Sequence, residues 1–221
     1  GESAVGWNVA LQGAREFNVI LITRENNRTN IESYVGRESC PKNLQFEYFD
    51  LPYYLRFWKR GVRGSSVYFY LWQMFVPFAI WHRKYAFDVS HSVNFVSDNF
   101  PTFLWMLKKP VIWGPVSHHE KIGRSFVEFY GIAAYVWDRF TWLIKLVFWN
   151  FDPFHYMAKR KSFKILAGNQ SVPVRLNIDE CNYVKFSSSA IVGLPAESNR
   201  LQSDDFNILV VSRLAPVKSV D

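Results

Sequence analysis

The sequence predicts an α/β protein built on a Rossmann-like, open, mainly parallel sheet with helices on both faces. Three observations predict it. Short β-branched runs recur along the chain, such as residues 18–23 (Asn-Val-Ile-Leu-Ile-Thr) and 207–212 (Asn-Ile-Leu-Val-Val-Ser), and they suit strands buried on both faces. Segments of helical spacing lie between them, which is the alternation of a parallel sheet. The 221 residues are 49% hydrophobic and 20% charged, enough to bury a sizeable core and unlike a disordered chain.

The elements follow in order. Residues 5–16, with Val5, Val9, Leu11 and Ala14, read as a helix after a glycine-containing turn, and 18–23 read as a buried strand. Residues 24–43 are polar, carry Asn, Gly and Pro, and read as loop. In 44–49, Leu44, Phe46 and Tyr48 alternate with Gln45 and Glu47, a strand pattern. Helices are expected over 53–60 and 67–84, a strand over 87–91, and a helix from Pro101 to Lys108. Residues 111–113 form a strand ending at Gly114-Pro115, and helices follow over about 125–149 and 153–161. Asp152-Pro153 is an N-cap and first-turn signal for the second of these. Strands at 163–167 and 183–186 flank a helix at 169–176; 197–205 is a polar linker, and 206–212 is a last strand. No internal repeat or low-complexity tract is present.

Charge and aromatic content bound the partners. Lys and Arg number 26 against 19 Asp and Glu, a net +7 that favours phosphates, acidic headgroups or nucleic acid. Aromatic residues make up 18%, very high for a soluble domain. The stretch 67–81 is 15 residues long, short of the roughly 20 that span a bilayer. Residues 126–149 are interrupted by Glu128, Asp138, Arg139 and Lys145, so no spanning helix is read there. Residues 123–176 hold 8 Lys/Arg against 3 Asp/Glu, together with Trp137, Trp142 and Trp149. Two readings stay open for this segment: aromatics filling a core, or a helix lying in the headgroup layer of an anionic membrane. Cys40 and Cys181 form no zinc spacing or disulfide framework, which favours a reducing compartment.

In parallel sheets ligands bind beyond the strand carboxyl ends, here the turns after Thr23, His91, Trp113 and Ser212. In the last turn, Arg213 and Lys218 lie five residues apart and can converge on a diphosphate. Gly114 allows close approach to a ligand, and His118, His119 and Glu120 follow in the same loop. A zinc site would need further ligands, for which His82, His91 and His155 are the only histidines left, and no metal is expected. His91, at the end of its strand, suits a contact to a substrate hydroxyl or an acid–base role; capping or core packing is the plainer alternative. Dinucleotide-fingerprint, Walker A and nucleophile-elbow motifs are absent, and so are helix-turn-helix, RNA-recognition-motif and zinc-finger patterns, so nucleic acid is not the expected partner.

Five segments in order carry a resemblance. They are Gly1-Glu2-Ser3-Ala4-Val5-Gly6-Trp7, Val19-Ile20-Leu21-Ile22-Thr23-Arg24, Phe87-Asp88-Val89-Ser90-His91, Pro110-Val111-Ile112-Trp113-Gly114-Pro115-Val116, and Val210-Val211-Ser212-Arg213-Leu214 with Lys218. Together they resemble the group 1 (family 4) glycosyltransferases of GT-B fold. The first is similar to a G-S-E-x-G-x-G-W opening, and the last to the G-R-L-x-x-x-K-G entry into the second domain. The sequence departs from the pattern at Ser212 and Ser219, where glycines are usual, and at Ser117-His118-His119, which follow Gly-Pro-Val where G-G is usual. The E-x7-E spacing occurs only at Glu120 and Glu128, ahead of the Arg213–Lys218 segment, whereas the resemblance puts the paired glutamates in the second domain.

The resemblance implies two Rossmann-like domains around a cleft and a retaining, metal-free transfer from a nucleotide-sugar co-substrate to a glycan or lipid-linked acceptor. Arg213 and Lys218 then bind the donor diphosphate with Gly6 close by, His91 lies near the reacting sugar, and Glu2, Gly114, His118 and His119 belong to the acceptor-side loops. Residues 1–205 are expected to be an N-terminal domain lacking its first strand, and 206–221 the start of a donor domain. Such a fragment is expected to be inactive and marginally stable, with two strand edges exposed. A cytoplasmic location at the inner face of the cytoplasmic membrane is implied. The reading from a different class is a non-catalytic peripheral membrane module.

Overall fold

In the computed structural model, the structure describes residues 2–36, 40–61, 63–93, 97–128 and 131–186. The chain divides into two compact units: residues 1–118 with 152–188, and a second unit whose described residues are 119–128 and 131–151. The expected linker 197–205 and strand 206–212 lie outside the described residues, and so does the boundary expected at 205.

The first unit is α/β with parallel strands throughout. After helix α1 (Glu2–Gly13), strand β1 (Val19–Thr23) pairs with β2 (Leu44–Tyr48), Val19 opposite Leu44. Strands β3 (Ser90–Ser92), β4 (Val111–Val116), β5 (Lys164–Ala167) and β6 (Tyr183–Lys185) form a second parallel sheet in sequence order. The expected continuous sheet is therefore two sheets, and among the described residues no strand pairs with the second edge of β1 or β3. The cost shows in burial. Every residue of β1 is only half-buried, although its Val-Ile-Leu-Ile-Thr sequence predicts full burial.

Three clusters hold the first unit. Trp113, Val116, Ile165 and Ala167 of β4 and β5 pack with Ala158, Val172 and Leu176. Ala158 lies in α6 (Pro153–Lys161), and Val172 and Leu176 in α7 (Ser171–Leu176). Val76 and Ile80 of α3 (Ser65–Arg83) meet Val111 and Leu104, with Ile22 of β1 against them. Ala10 of α1 and Ala14, just past its end, pack with Leu44 of β2. Burying one such aliphatic side chain contributes about 1.5–3 kcal/mol.

Several boundaries differ from the sequence expectation, each for a local reason. Residues 24–43 are not all loop: α2 (Arg28–Val35) forms there, and Tyr34 takes the edge of the Trp7 ring. The helix expected over 53–60 is a single 3-10 turn (Tyr53–Leu55), because Arg56 leaves helical geometry and pairs with Asp50. Pro101 does not open a helix; the turn is Leu104–Leu107, whose first N–H is taken by the Thr102 hydroxyl. β3 starts three residues later than expected, and β4 runs on through Gly114 and Pro115. The Asp152 cap forms as read, its carboxylate accepting from Phe154 N at 2.8 Å.

The second unit contains α4 (Arg124–Glu128) and α5 (Ile132–Phe151), parted at Gly131, whose φ is +93°. α5 has no buried residue. Ile132, Val136, Phe140, Leu143, Val147 and Phe151, spaced three or four apart, line one exposed face along its whole length. The core-filling reading of this helix is not what the described residues show. No helix among them is long and apolar enough to cross a membrane.

The open edges predict unequal stability within the first unit. Backbone amides of β1 should exchange with solvent at least about tenfold faster than those of β4 and β5 in native-state hydrogen exchange. Equal protection would mean that the second edge of β1 is covered in solution.

Candidate functional site

Parallel pairing puts the carboxyl ends of β3 to β6 on one edge of their sheet. At the centre of that edge, β4 ends in Gly114, Pro115 and Val116. Gly114 has φ +127°, and a Cβ built on it would lie 2.6 Å from the Leu166 carbonyl of β5 and 2.9 Å from Val116 N. The neighbouring strand by itself therefore requires glycine at this position. On the next turn, a Cβ on Gly168 would collide with Ser117 Oγ, and Gly168 N donates to Val116 O at 2.7 Å.

His91, in β3, reaches across to this point. Its Nε2–H donates to Gly114 O at 2.7 Å. A carbonyl only accepts, so the tautomer is fixed with the proton on Nε2 and the lone pair on Nδ1. Burial pushes its pKa below the ordinary value, with the Gly114 carbonyl opposing. His91 is thus a neutral, half-buried ring bound to backbone, the capping role that stood beside the acid–base role in the sequence.

A second histidine is held differently. His118 Nδ1 lies 2.8 Å from Asp98 Oδ2, and both side chains are buried. The backbone O of Asp98 accepts from His155 Nε2 at 2.9 Å, while Trp113 packs edge-on against the His155 ring. Asn169, beyond β5, pins the His118 backbone: its Nδ2 donates to His118 O at 2.7 Å and its Oδ1 accepts from His118 N at 3.3 Å. Asp98 Oδ2 accepts from His118 Nδ1, which fixes how the imidazole ring is oriented. Burial also lowers the pKa of His155, against its bond to Asp98 O.

The remaining predicted residues are not gathered here. Glu2 and Gly6 lie in α1, so Gly6 is a buried helical residue and not part of a phosphate loop. His119 is exposed and begins the second unit. Arg213 and Lys218 lie outside the described residues. No group of three or more His, Cys, Asp or Glu that could hold a metal occurs among the described residues.

Sequence reasoning missed Asp98 and Asn169, and raised His155 only as a possible zinc ligand. It also missed Asp50, just past the carboxyl end of β2. Asp50 accepts from the Tyr68 hydroxyl, from Arg56 Nη1 at 3.0 Å and from Leu51 N at 3.3 Å, with Arg24 Nε 3.8 Å away. Burial and the carboxylate push the Tyr68 phenol up to about 12. A cavity of about 700 Å³ lies elsewhere, against β2 and α2. Its charges are already paired, Arg28 with Glu25 and Glu32 and Arg83 with Glu47, which leaves little demand for a charged ligand.

Two predictions follow from this geometry. Gly114→Ala should destabilise the protein by about 3 kcal/mol or more in urea unfolding, because both φ and the Leu166 carbonyl oppose a side chain. Gly61→Ala, with φ +56° but open space around it, should cost only about 1–2 kcal/mol. The second concerns pH. His91 and His155 have folded-state pKa values below the ordinary 6.5, so just under that pH the unfolded chain binds more protons. Their contribution is intact above about 6.5 and is lost as pH falls from there through the lowered folded-state values. Unfolding midpoints measured between pH 7.5 and 5 should fall, and His155→Gln should flatten the slope.

Comparison with protein-family models, with curated proteins and with solved structures finds no match to this chain.

Proposed function

We propose that the chain is the acceptor-side part of a GT-B-type glycosyltransferase. In this reading it moves a sugar, with retention and without a metal, from a nucleotide-sugar to a glycan or lipid-linked acceptor. The site of action is the inner face of the cytoplasmic membrane, in surface polysaccharide or glycolipid synthesis. The observation that supports it best is the convergence of His91, Gly114 and the Asp98–His118 couple on the carboxyl edge of one parallel sheet, where such sheets bind ligands. Oriented polar groups at that edge suit an acceptor hydroxyl. The donor diphosphate falls to Arg213 and Lys218, a role that comes from the resemblance alone and suits their charge.

The reading as a non-catalytic membrane module is favoured by one observation, the exposed apolar face of α5 with Trp137 beside it. The two readings share a membrane surface and differ in the donor. Titration of the protein with UDP- and GDP-sugars by calorimetry separates them. The transferase reading expects binding that weakens about 10- to 100-fold in Arg213→Ala, the worth of a charged hydrogen bond to phosphate. Absence of nucleotide-sugar binding in a folded protein that still binds vesicles would leave the module.

A further inference from the structure

Residues 52–61, with Arg63, form a basic, aromatic loop where the sequence suggests a helix over 53–60. Tyr53, Tyr54 and Phe57 are 75%, 71% and 61% exposed. Arg56, Arg60 and Arg63 are exposed as well, with Lys59 half-buried between them. No acidic residue occurs between Asp50 and Asp88, a stretch that holds six Lys and Arg.

The loop has a defined shape. Leu51 is buried at its start, and Arg56 is tied back to Asp50 at 3.0 Å. Lys59 Nζ donates to Gly61 O at 3.2 Å, and Arg60 and Arg63 form an antiparallel bridge around the tip. The Trp58 ring lies on Gly64, where a Cβ would come within 2.5 Å of it. These ties leave Tyr53, Tyr54 and Phe57 facing water beside cations. Lys59, Arg60 and Arg63 make no ion pair among the described residues.

We propose that residues 52–61 with Arg63 are a docking loop for an anionic lipid bilayer. Tyr53, Tyr54 and Phe57 enter the headgroup layer, and Arg60 and Arg63 sit on lipid phosphates. Amphipathic aromatics interleaved with unpaired cations suit that layer, which offers an apolar boundary and negative charge together. A single-stranded nucleic acid would use the same chemistry more evenly along a groove, whereas here the aromatics and cations cluster at one tip. The proposal rests on the membrane-surface part of the function proposed above. It is independent of any sugar donor, and it names a surface other than α5.

The test is co-sedimentation of the protein with phosphatidylglycerol-containing vesicles and with pure phosphatidylcholine vesicles. Binding is expected to the anionic vesicles and to weaken with salt. Arg60→Ser with Arg63→Ser should weaken it about thirtyfold, from about fivefold per cation near a charged surface. Tyr53→Ser with Phe57→Ser should weaken it at any salt concentration. All four side chains are exposed, so the variants should keep the parent's circular dichroism and melting temperature; if the double variants melt lower, single Arg60→Gln and Phe57→Ser replace them. Loss of binding in an α5 variant, Phe140→Ser with Val147→Ser, but not in the loop variants would overturn the loop proposal and keep the membrane reading. Equal binding to neutral vesicles, or competition by a single-stranded oligonucleotide tighter than the vesicles, would overturn the lipid assignment. No binding to either vesicle would overturn both.

Discussion

The close approach of Gly114 to Leu166 governs the sheet that carries the candidate site. With a Cβ only 2.6 Å from a backbone oxygen, this position accepts no side chain, and β4 can lie against β5 only because none is there. The pairing register shifts between Trp113 and Val116, which aims the end of β4 differently from its start. Val116 O then takes Gly168 N, and Ser117 comes against Gly168, so the two carboxyl ends stay in contact where ladder pairing is irregular. Asn169, next in the chain, reaches the His118 backbone from that position. On the other side, His91 uses the Gly114 carbonyl. The orientation of His118 is thus set by backbone packing two to four residues away, as well as by Asp98.

What the sequence made legible follows from how local each signal is. Asp152-Pro153 contains its whole message in two residues, and the cap forms as read. β-branched runs and the Leu44, Phe46, Tyr48 alternation mark strands because side-chain period is a property of the segment itself. Asp98 has no such signal. It sits in a Ser-Asp-Asn-Phe-Pro loop, its partner His118 is 20 positions away, and His155 is 57 away. Only the fold brings them together. His91 shows the converse: its place at a strand end was readable, but its bond to a carbonyl 23 residues on was not. The split between the two sheets was equally hidden, since the pattern of a strand names a face and does not name its neighbour.

Residues 53–60 differ from the expected helix for a physical reason. Propensity alone does not forbid a helix there. A carboxylate decides otherwise. Asp50 is only 12% exposed and gathers a phenol, an arginine, a backbone N–H and a second arginine close by. Removing one of those donors would leave a mostly buried charge short of partners, so Arg56 is held to Asp50 and the helical turn ends there.

That same network explains why aromatic rings are found in water on a chain that is otherwise able to bury them. The net contribution of a half-buried ion pair to stability is small, since desolvation offsets most of the attraction. What Asp50 supplies is direction. Tyr68 brings it α3, Leu51 N the start of the loop and Arg56 the middle, so the loop is anchored just past the carboxyl end of β2. A free loop with Tyr53, Tyr54 and Phe57 would gain by folding those rings onto the nearest apolar surface. Here the anchor keeps them in position beside Arg60 and Arg63, and the burial forgone within the chain becomes available to whatever surface meets the tip.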